Sequence, residues 1–599
     1  MAFRHRAIVV PSATASKQLV SKNARSGHKR VGGRHDDGRY YRTLSWSYSV
    51  LMVVRTYTTL DRLLTLIEAL YPDSPRIKFV VEPGSDFARG LARHIEGMGF
   101  EVLTWAEAKA IRFDVVLAAH ATRALGELRG PVFVVPHGAG YNRLVAWSSG
   151  SDEFATGLVD SQLTMDDGRV YPSAIGVSHE EQVERLRVSA PEAADRAVVI
   201  GDPVFDRIVA SRWRRDGFRE RFGVLPGQKL VVITSTWGGY STVGRDAELP
   251  MRLLAQLPMD QYRVLLIMHP NVWSIDSPGE IRTKLRDALA SGLIVVPPHT
   301  PWEAGLIAAD ICLGDHSSLS IYAAAIGCRF LLAADGREEL EPTSPLAQLC
   351  EKATRLDLGG DLRRQIEDHL ASPRRLSARD IADSIFQQQE QSWARFRSVV
   401  RALAGRTALP EAPRMTPVGD PEPMSCCRIT AWIVSTRVEH DADTGAIRVP
   451  IERWPRIARD SRDNPDDDLW QAADHAEVHW PFRSNSEVLL HSAPLTRVAG
   501  EQWVHEMLAP SGEGTAEGDL PPTEHPNAYV AAYRHADGCA VRWRGGGLRI
   551  DVDGDDLFAA ANVLHRLWLD GYPLDRPGRV EYGYRPDEVK TFCFAPAPR

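Results

Sequence analysis

No apolar run in the sequence approaches the roughly 18–20 residues that a helix needs to cross a bilayer. Cysteine is scarce: seven residues in 599, none in a C-x-x-C pair, which argues against a zinc framework or a thioredoxin-type redox motif. A low and odd count fits a reducing cytosol better than secretion. The apolar stretch at residues 7–11 is too short for a signal-peptide core. The sequence therefore predicts a cytoplasmic protein.

The chain also lacks an excess of positive charge. Its formal net charge of −7 argues against a protein dominated by nucleic-acid binding, so no specific nucleic-acid partner is predicted. Residues 1–49 are the exception, with ten Lys and Arg against two Asp and no sustained periodicity. This composition predicts a disordered basic tail. The tail either has no binding role or is a candidate for peripheral contact with acidic lipid at the inner face of the membrane, or with nucleic acid.

From residue 50 onward, short apolar runs alternate with stretches of helical periodicity. A chain of 599 residues is too long for one core, and this alternation predicts parallel strands joined by right-handed helical crossovers. The predicted strands are 50–55, 77–81, 113–119, 132–135, 230–234, 263–268, 293–296, 311–313 and 329–333. The predicted helices are 60–70, 87–98, 362–371 and 378–404.

The fold class predicted from this pattern is α/β, with two Rossmann-like parallel-sheet lobes facing a cleft. The N-terminal lobe is predicted to span 50–190 and the C-terminal lobe 191–405. Five prolines in 406–424 predict a linker. Residues 425–599 are predicted to form an accessory α+β domain in which Asp555 caps a helix. Ligands of such sheets bind beyond the carboxyl ends of the strands, so the loops there hold the candidate site residues.

A histidine follows one predicted strand in each lobe. His137 comes directly after the strand at 132–135 and is followed by Gly138 and Gly140, which let the backbone approach a substrate closely. His269 ends the strand at 263–268, where Pro270 restricts the backbone. An imidazole can act as a general base near neutral pH. The alternative for each histidine is a hydrogen bond within its own loop.

Two further segments suit phosphate binding. Ser317 or Ser318 is predicted to cap a helix after the strand at 311–313, and the free N–H groups of a helix start attract phosphate. The alternative is ordinary helix capping. Thr236-Trp237-Gly238-Gly239 follows the strand at 230–234, where a glycine pair suits contact with a nucleotide or diphosphate. For Trp237 the alternative is packing in the core.

The order of these segments resembles the CDP-glycerol glycerophosphotransferases, which have the GT-B glycosyltransferase fold. The resemblance covers about residues 110–335. It rests on His137-Gly138, Gly201-Asp202-Pro203, Thr236-Trp237, His269-Pro270 and Asp315-His316-Ser317-Ser318. The sequence departs from the family pattern at three positions. Gly238 stands where a basic residue is frequent, His316 replaces an aromatic residue, and Tyr322 replaces an acidic one.

The resemblance implies a transferase that needs neither metal nor cofactor. His137 would be the base toward a hydroxyl acceptor, while His269, Ser317 and Ser318 would hold the phosphates of CDP-glycerol or a nucleotide sugar. A teichoic acid-like polymer of the cell envelope would be one acceptor. The remaining candidate contacts with substrate are Gly138, Asn142, Arg143, Thr236, Trp237, Gly238, Pro270 and Asp315. The alternative function is a catalytically inactive GT-B-like module that binds a nucleotide or sugar and presents its C-terminal domain to a partner.

Overall fold

The structure is a computed structural model and describes residues 45–144, 154–298, 300–407, 415–425, 428–441, 445–459, 468–509, 525–545 and 548–597. Residues 1–44 of the tail predicted for 1–49, and residues 408–414 of the predicted linker, therefore lie outside the described residues. From Ser47 onward the chain forms one unit with three sheets. Within the described ranges, no helix is long and apolar enough to span a membrane.

The first lobe is built on a seven-stranded sheet in which every strand pair is parallel. Val50 of the central strand lies opposite Ile77 on one side and Val115 on the other. The strands are β1 Ser49–Val54, β2 Arg76–Val81, β3 Val102–Leu103, β4 Val115–Ala118, β5 Val132–Val134, β6 Pro172–Val177 and β7 Ala197–Val199, in the spatial order β3-β2-β1-β4-β5-β6-β7. The helices are α1 Tyr57–Leu70, α2 Leu91–Gly97, α3 Trp105–Ala110, α4 Asp160–Leu163, α5 Glu180–Ser189 and α6 Pro191–Ala194.

The four strands predicted for this lobe are present, and the structure adds β3, β6 and β7. Because β7 lies beyond residue 190, the sheet extends past the predicted lobe boundary. The helix predicted at 87–98 begins only at Leu91, since Gly90 adopts a left-handed conformation with φ of 75° that ends the preceding loop. Phe87 is therefore a loop residue and is free to reach the other lobe.

The second lobe contains a five-stranded sheet that is also entirely parallel, with the order β10-β9-β8-β11-β12. The strands are β8 Lys229–Ser235, β9 Tyr262–Met268, β10 Ile294–Val296, β11 Ile311–Gly314 and β12 Arg329–Leu332, which matches all five predictions. Thirteen helices accompany it in the described chain: α7 Pro203–Ala210, α8 Arg215–Arg221, α9 Thr242–Arg245, α10 Leu249–Gln256, α11 Pro270–Ile275, α12 Pro278–Lys284, α13 Arg286–Ala290, α14 Glu303–Ala308, α15 Ser318–Ala325, α16 Pro345–Lys352, α17 Leu362–Ala371, α18 Ala378–Ile385 and α19 Ser392–Leu403.

The single helix predicted at 378–404 is wrong, because α18 and α19 are separate. Between them Gln388 and Glu390 have φ of 56° and 67°, which a continuous right-handed helix cannot contain. After this break α19 crosses back, and Trp393 and Phe396 join the core of the first lobe. Residues 392–403 thus pack with the first lobe, although the sequence assigned them to the second.

The two lobes face each other across a cleft formed by the carboxyl ends of both sheets. Each sheet has a switch point, between β1 and β4 and between β8 and β11, where an open parallel sheet forms its binding crevice. Oγ1 of Thr58 in the first lobe lies 3.4 Å from Nε2 of His269 in the second. The rings of Phe87 and Trp237 lie 5.2 Å apart across the same gap. The predicted fold class, two Rossmann-like lobes of GT-B type with an additional domain, is confirmed.

The C-terminal domain is a ten-stranded mixed sheet in which β13 pairs with both β16 and β15, so the sheet closes on itself. Its strands are β13 Ala431–Thr436, β14 Glu439–His440, β15 Ile447–Pro455, β16 Leu469–Asp474, β17 Val488–His491, β18 Val530–His535, β19 Gly538–Trp543, β20 Arg549–Asp553, β21 Gly578–Gly583 and β22 Lys590–Pro596. The helices are α20 Trp480–Ser484, α21 Arg497–Met507 and α22 Leu557–Leu569. Helix α22 is buried along most of its length and fills the closed sheet. Asp556, one residue after the predicted Asp555, caps it.

The C-terminal domain is docked on the second lobe. Arg453 donates two hydrogen bonds to Asp260, at 2.7 and 2.9 Å, and its carbonyl accepts the N–H of Met259. The described end of the predicted linker is also held there, because Met424 and Val295 exchange backbone hydrogen bonds of 2.7 and 2.8 Å. The last residues of the linker are thus fixed along the edge strand β10.

Candidate interlobe site

His137 lies at the exit of β5, where the buried strand delivers its side chain into the cleft. The ring is exposed to the cleft. The surrounding protein still removes much of its hydration, and this desolvation is the largest effect on its pKa. Desolvation and the positive charges of Arg62, His120 and Arg143 lower this pKa to about 4. The backbone of Ala119 acts in the opposite direction and raises this pKa. At neutral pH the imidazole is therefore uncharged and its second nitrogen carries a lone pair.

His269 lies at the exit of β9 and begins α11. Its Nδ1 accepts the backbone N–H of Asn271 at 3.1 Å, which places the proton of the neutral ring on Nε2. That Nε2 atom lies 3.4 Å from Oγ1 of Thr58 in the opposite lobe. Desolvation, with the charges of His137 and Arg143, lowers the pKa of His269 to about 3. Arg143 lowers the pKa of both histidines, so both lie within range of one positive charge at the contact between the lobes.

The start of α15 packs on the His137 loop. A Cβ at Gly138 would lie 2.3 Å from Oγ of Ser318, so only glycine allows this approach between the lobes. Ser317 is the residue that precedes the helix, and its side chain makes no capping hydrogen bond. Both serines are partly exposed. The structure thus brings His137, His269 and the predicted phosphate cradle to one cleft.

Asp315 does not face the cleft. The side chain is fully buried, and Oδ2 accepts the backbone N–H groups of Thr236 and Thr242 at 2.8 and 2.9 Å. Burial raises the pKa of this carboxyl group, while these hydrogen bonds oppose the shift. Asp315 therefore holds the loop from Thr236 to Thr242 in place, and Thr236 is buried with it. Gly238 at the tip of that loop is exposed, with φ of 89°.

Trp237 and Arg143 form a wall of the cleft. The guanidinium of Arg143 lies 4.5 Å from the centroid of the Trp237 ring, and Phe87 also contacts this ring. Trp237 is thus half-buried at the contact between lobes and does not belong to a core, which was its alternative role. Glu339 pairs with Arg143 and accepts a 2.8 Å hydrogen bond from Nε2 of His316. This carboxylate partly neutralises Arg143.

Asn142 and Pro270 have positions that suit support more than ligand contact. Asn142 is buried, its Nδ2 donates to the carbonyl of Ala139 at 2.8 Å, and its own carbonyl accepts the N–H of Glu341. These bonds fix the His137 loop to the second lobe. Pro270 occupies the first position of α11, where its restricted φ suits a helix start.

A buried charged cluster that the sequence did not indicate lies beneath the His137 loop. Arg62 of α1 donates to the carbonyl of Pro136 at 2.9 Å and to both carboxylate oxygens of Asp202 at 3.1 and 2.8 Å. The hydroxyl of Tyr322 donates to the same carboxylate at 3.0 Å. Asp202 also caps α7. Tyr322 departs from the family pattern, but its side chain is buried in this cluster and does not line the phosphate side of the cleft.

Further polar residues lie where the strands of the first lobe end. Glu82 follows β2 and binds Arg55, His120 and Thr122, at 2.5, 2.7 and 2.9 Å. Arg55 and His120 follow the adjacent strands β1 and β4. A charged residue placed just after a strand was the available sequence signal. In the part of the chain that the structure describes, no group of three or more His, Cys, Asp or Glu could hold a metal ion.

Comparison with known proteins adds only a likeness of fold. Neither a protein-family model nor a curated protein matches the sequence. The chain is similar to the S. aureus MnaA–UDP structure, with 12% identity, 59% of this chain and 97% of that chain covered, and a TM-score of 0.38. It is also similar to the wall teichoic acid polymerase TagF in a structure soaked with CDPG, with 14% identity, 60% and 89% coverage, and a TM-score of 0.35. It is similar as well to a Methanocaldococcus jannaschii UDP-GlcNAc 2-epimerase, with 13% identity, 60% of this chain and 99% of that chain covered, and a TM-score of 0.37. Such values define no substrate or reaction for this chain.

Proposed function

We propose that the chain transfers glycerol phosphate or a sugar from a nucleotide-activated donor to a hydroxyl acceptor in the cleft. The observation that carries this proposal is the convergence of His137 and His269, one from each lobe, beside the start of α15. A base for the acceptor proton and hydrogen-bond donors for phosphate oxygens are thereby available within one space.

His137 is the general base in this proposal. Its free lone pair takes the proton of the acceptor hydroxyl as that oxygen forms a bond to the transferred group. The bond between the transferred group and the nucleotide's phosphate breaks, and the departing nucleotide keeps the electron pair. Base catalysis of this kind contributes about 10²–10⁴-fold in rate.

His269 and α15 act on the donor. Nε2–H of His269, the hydroxyls of Ser317 and Ser318, and the free N–H groups of the helix start are all donors suited to phosphate oxygens. They would stabilise the charge that develops on the departing nucleotide phosphate. The proposal assigns this neutralisation to protein donors and not to a metal ion.

Donor binding would also strengthen the base. In the structure Arg62 and Arg143 help to lower the pKa of His137, so its protonated form is unfavourable. The negative charge of a bound diphosphate would offset those cations and raise this pKa toward neutrality. His137 would then take up the acceptor proton more readily once donor is in place.

The test is nucleotide release from a panel of CDP-, UDP- and GDP-linked donors by the purified full chain. His137→Gln should lower turnover by about 10²–10⁴-fold while donor affinity, measured by calorimetry, stays within about threefold of wild type. His269→Gln should weaken both turnover and donor affinity, because it removes a donor to phosphate.

His179→Gln is the matched control for His269→Gln. His179 begins α5 and accepts the N–H of Glu181 through Nδ1 at 3.0 Å, just as His269 does for its own helix, but it is not one of the cleft residues. It should leave donor affinity unchanged. Full turnover by His137→Gln would overturn the role of the base. Nucleotide binding without release from any donor would favour the inactive binding module.

A further inference from the structure

A second cavity lies between the lobes and shares no residue with the proposed transfer site. Its volume is about 390 Å³, within the range of small-molecule pockets. It is bounded by α5 of the first lobe and by α16 and α18 of the second. A molecule bound there would contact both lobes at once.

One end of the cavity has an excess of negative charge. Arg185 Nη1 lies 3.7 Å from a carboxylate oxygen of Glu181 and 3.3 Å from one of Glu341, so two carboxylates share one guanidinium. Oε1 of Glu181 is enclosed and has no hydrogen-bond partner among the described residues. Burial raises the pKa of Glu181, against the effect of Arg185. This carboxylate would be stabilised by a cationic donor.

The rest of the lining mixes apolar and polar side chains. Leu349 and Ile385 are buried, and Leu376 and Ile381 are partly buried beside them. Thr343, Gln348 and Ser384 add polar groups, and Glu184 adds a second carboxylate. Lys352, at the end of α16, adds an ammonium group to the guanidinium of Arg185. A ligand that fits this surface carries a cation, an anion and an apolar body.

We propose that this cavity binds a free amino acid with an apolar side chain, its ammonium group on Glu181 and its carboxylate on Lys352. The side chain packs on Leu349 and Ile385. Binding does not depend on the proposed transfer reaction, because it requires neither donor nor acceptor.

The cavity is connected to the transfer site through the loop that carries His137 and Arg143. Arg185 donates to the carbonyl of Tyr141 in this loop, and the N–H of Glu341 donates to the carbonyl of Asn142 at 2.8 Å. An ammonium group on Glu181 competes for the carboxylate that Arg185 now shares. The amino acid and a cleft nucleotide therefore change each other's affinity by the same factor.

The experiment is calorimetric titration of the full chain with L-leucine and L-phenylalanine. The comparison ligands are 4-methylpentanoate and 3-methylbutylamine, which lack the ammonium and the carboxylate of leucine respectively. We expect the amino acids to bind and each comparison ligand to bind at least about tenfold more weakly, the loss typical of one charge-assisted hydrogen bond. Equal binding of the comparison ligands, or no binding of either amino acid at millimolar concentration, would overturn the proposal.

Three variants locate the site. Glu181→Gln should weaken leucine or phenylalanine binding about tenfold or more. Glu180→Gln is the matched control on the same helix, since Glu180 is exposed and lies outside the cavity lining, and should stay within about twofold of wild type. Ser384→Trp places an indole in the cavity from its exposed rim and should abolish binding with an unchanged melting temperature. Wild-type affinity in Glu181→Gln and Ser384→Trp would show that the amino acid binds elsewhere.

Discussion

His137 and His269 are both uncharged at neutral pH, yet the proposal gives them different roles. The neutral ring of His137 carries one lone pair that can accept a proton. His269 accepts the N–H of Asn271, so an N–H remains. A neutral imidazole has one donor and one acceptor, and a single backbone contact therefore decides which is left. In the proposal, two residues of the same type therefore act as a base and as a hydrogen-bond donor to phosphate.

The lowered pKa values predict a dependence of stability on pH. Native pKa values of about 4 for His137 and about 3 for His269 lie below the unfolded value of about 6.5. Between about pH 6.5 and pH 4 the unfolded chain binds protons that the native chain does not, so stability decreases as the pH falls through this window. The melting temperature of the double variant His137→Gln, His269→Gln should decrease less between pH 7 and pH 4.5 than that of wild type. An identical decrease in both proteins would contradict the assigned pKa values.

At the scale of elements, a residue that follows another strand holds the loop after β8 in place. Asp315, which follows β11, accepts two backbone N–H groups of that loop and so joins the ends of two adjacent strands. The exposed Gly238 can then stand at the cleft on a loop whose two ends are anchored. The carboxylate of Asp315 can be buried next to a proposed phosphate site because two backbone N–H groups donate hydrogen bonds to it.

Asp315→Ala should destabilise the fold by about 2–6 kcal/mol, because two buried N–H groups lose their acceptor at roughly 1–3 kcal/mol each. The free energy of unfolding in urea measures this loss. Ser317→Ala is the control: its side chain does not cap α15, so stability should change by less than about 0.5 kcal/mol. A similar small change for Asp315→Ala would mean that the loop does not depend on the carboxylate.

At the scale of the whole molecule, buried and partly buried ion pairs join segments that are distant in sequence. One hydrogen-bonded group connects α1 of the first lobe with the start of α7 and with α15 of the second lobe. Its members are Arg62, Asp202 and Tyr322. Arg453 and Asp260 do the same between the C-terminal domain and the second lobe. Arg453 also lies over the rings of Phe558 and Tyr584. The C-terminal domain therefore helps to support the second lobe.

Asp260→Asn should loosen this docking. It leaves the partly buried guanidinium of Arg453 without a carboxylate, which costs about 1–3 kcal/mol. We expect earlier unfolding of the C-terminal domain in urea and faster proteolysis within 406–424. Asp420→Asn is the control, because Asp420 pairs with Arg214 and Arg221 while 47% exposed, and a surface pair is worth about 0–1 kcal/mol. Equal sensitivity of both variants would argue against a docking role for Arg453.

Sequence patterns located the elements of both lobes well because the evidence for them is local. Every strand predicted in the lobes is found, since a parallel strand covered on both faces is a nearly continuous apolar run. The strands that were missed are short, as β3 is, or begin with proline, as β6 does. The break between α18 and α19 was missed because it depends on backbone conformation at Gln388 and Glu390 and not on periodicity.

The succession of two parallel sheets and the positions of His137 and His269 at strand exits follow from local sequence patterns alone. Which candidates face the cleft depends on how distant segments pack together. This packing turns Asp315 and Asn142 inward and places Arg62 and Tyr322 on one buried carboxylate. Strand and helix periodicity is set by neighbours a few residues away, whereas the direction and partners of a polar side chain are set by segments that can be over a hundred residues distant.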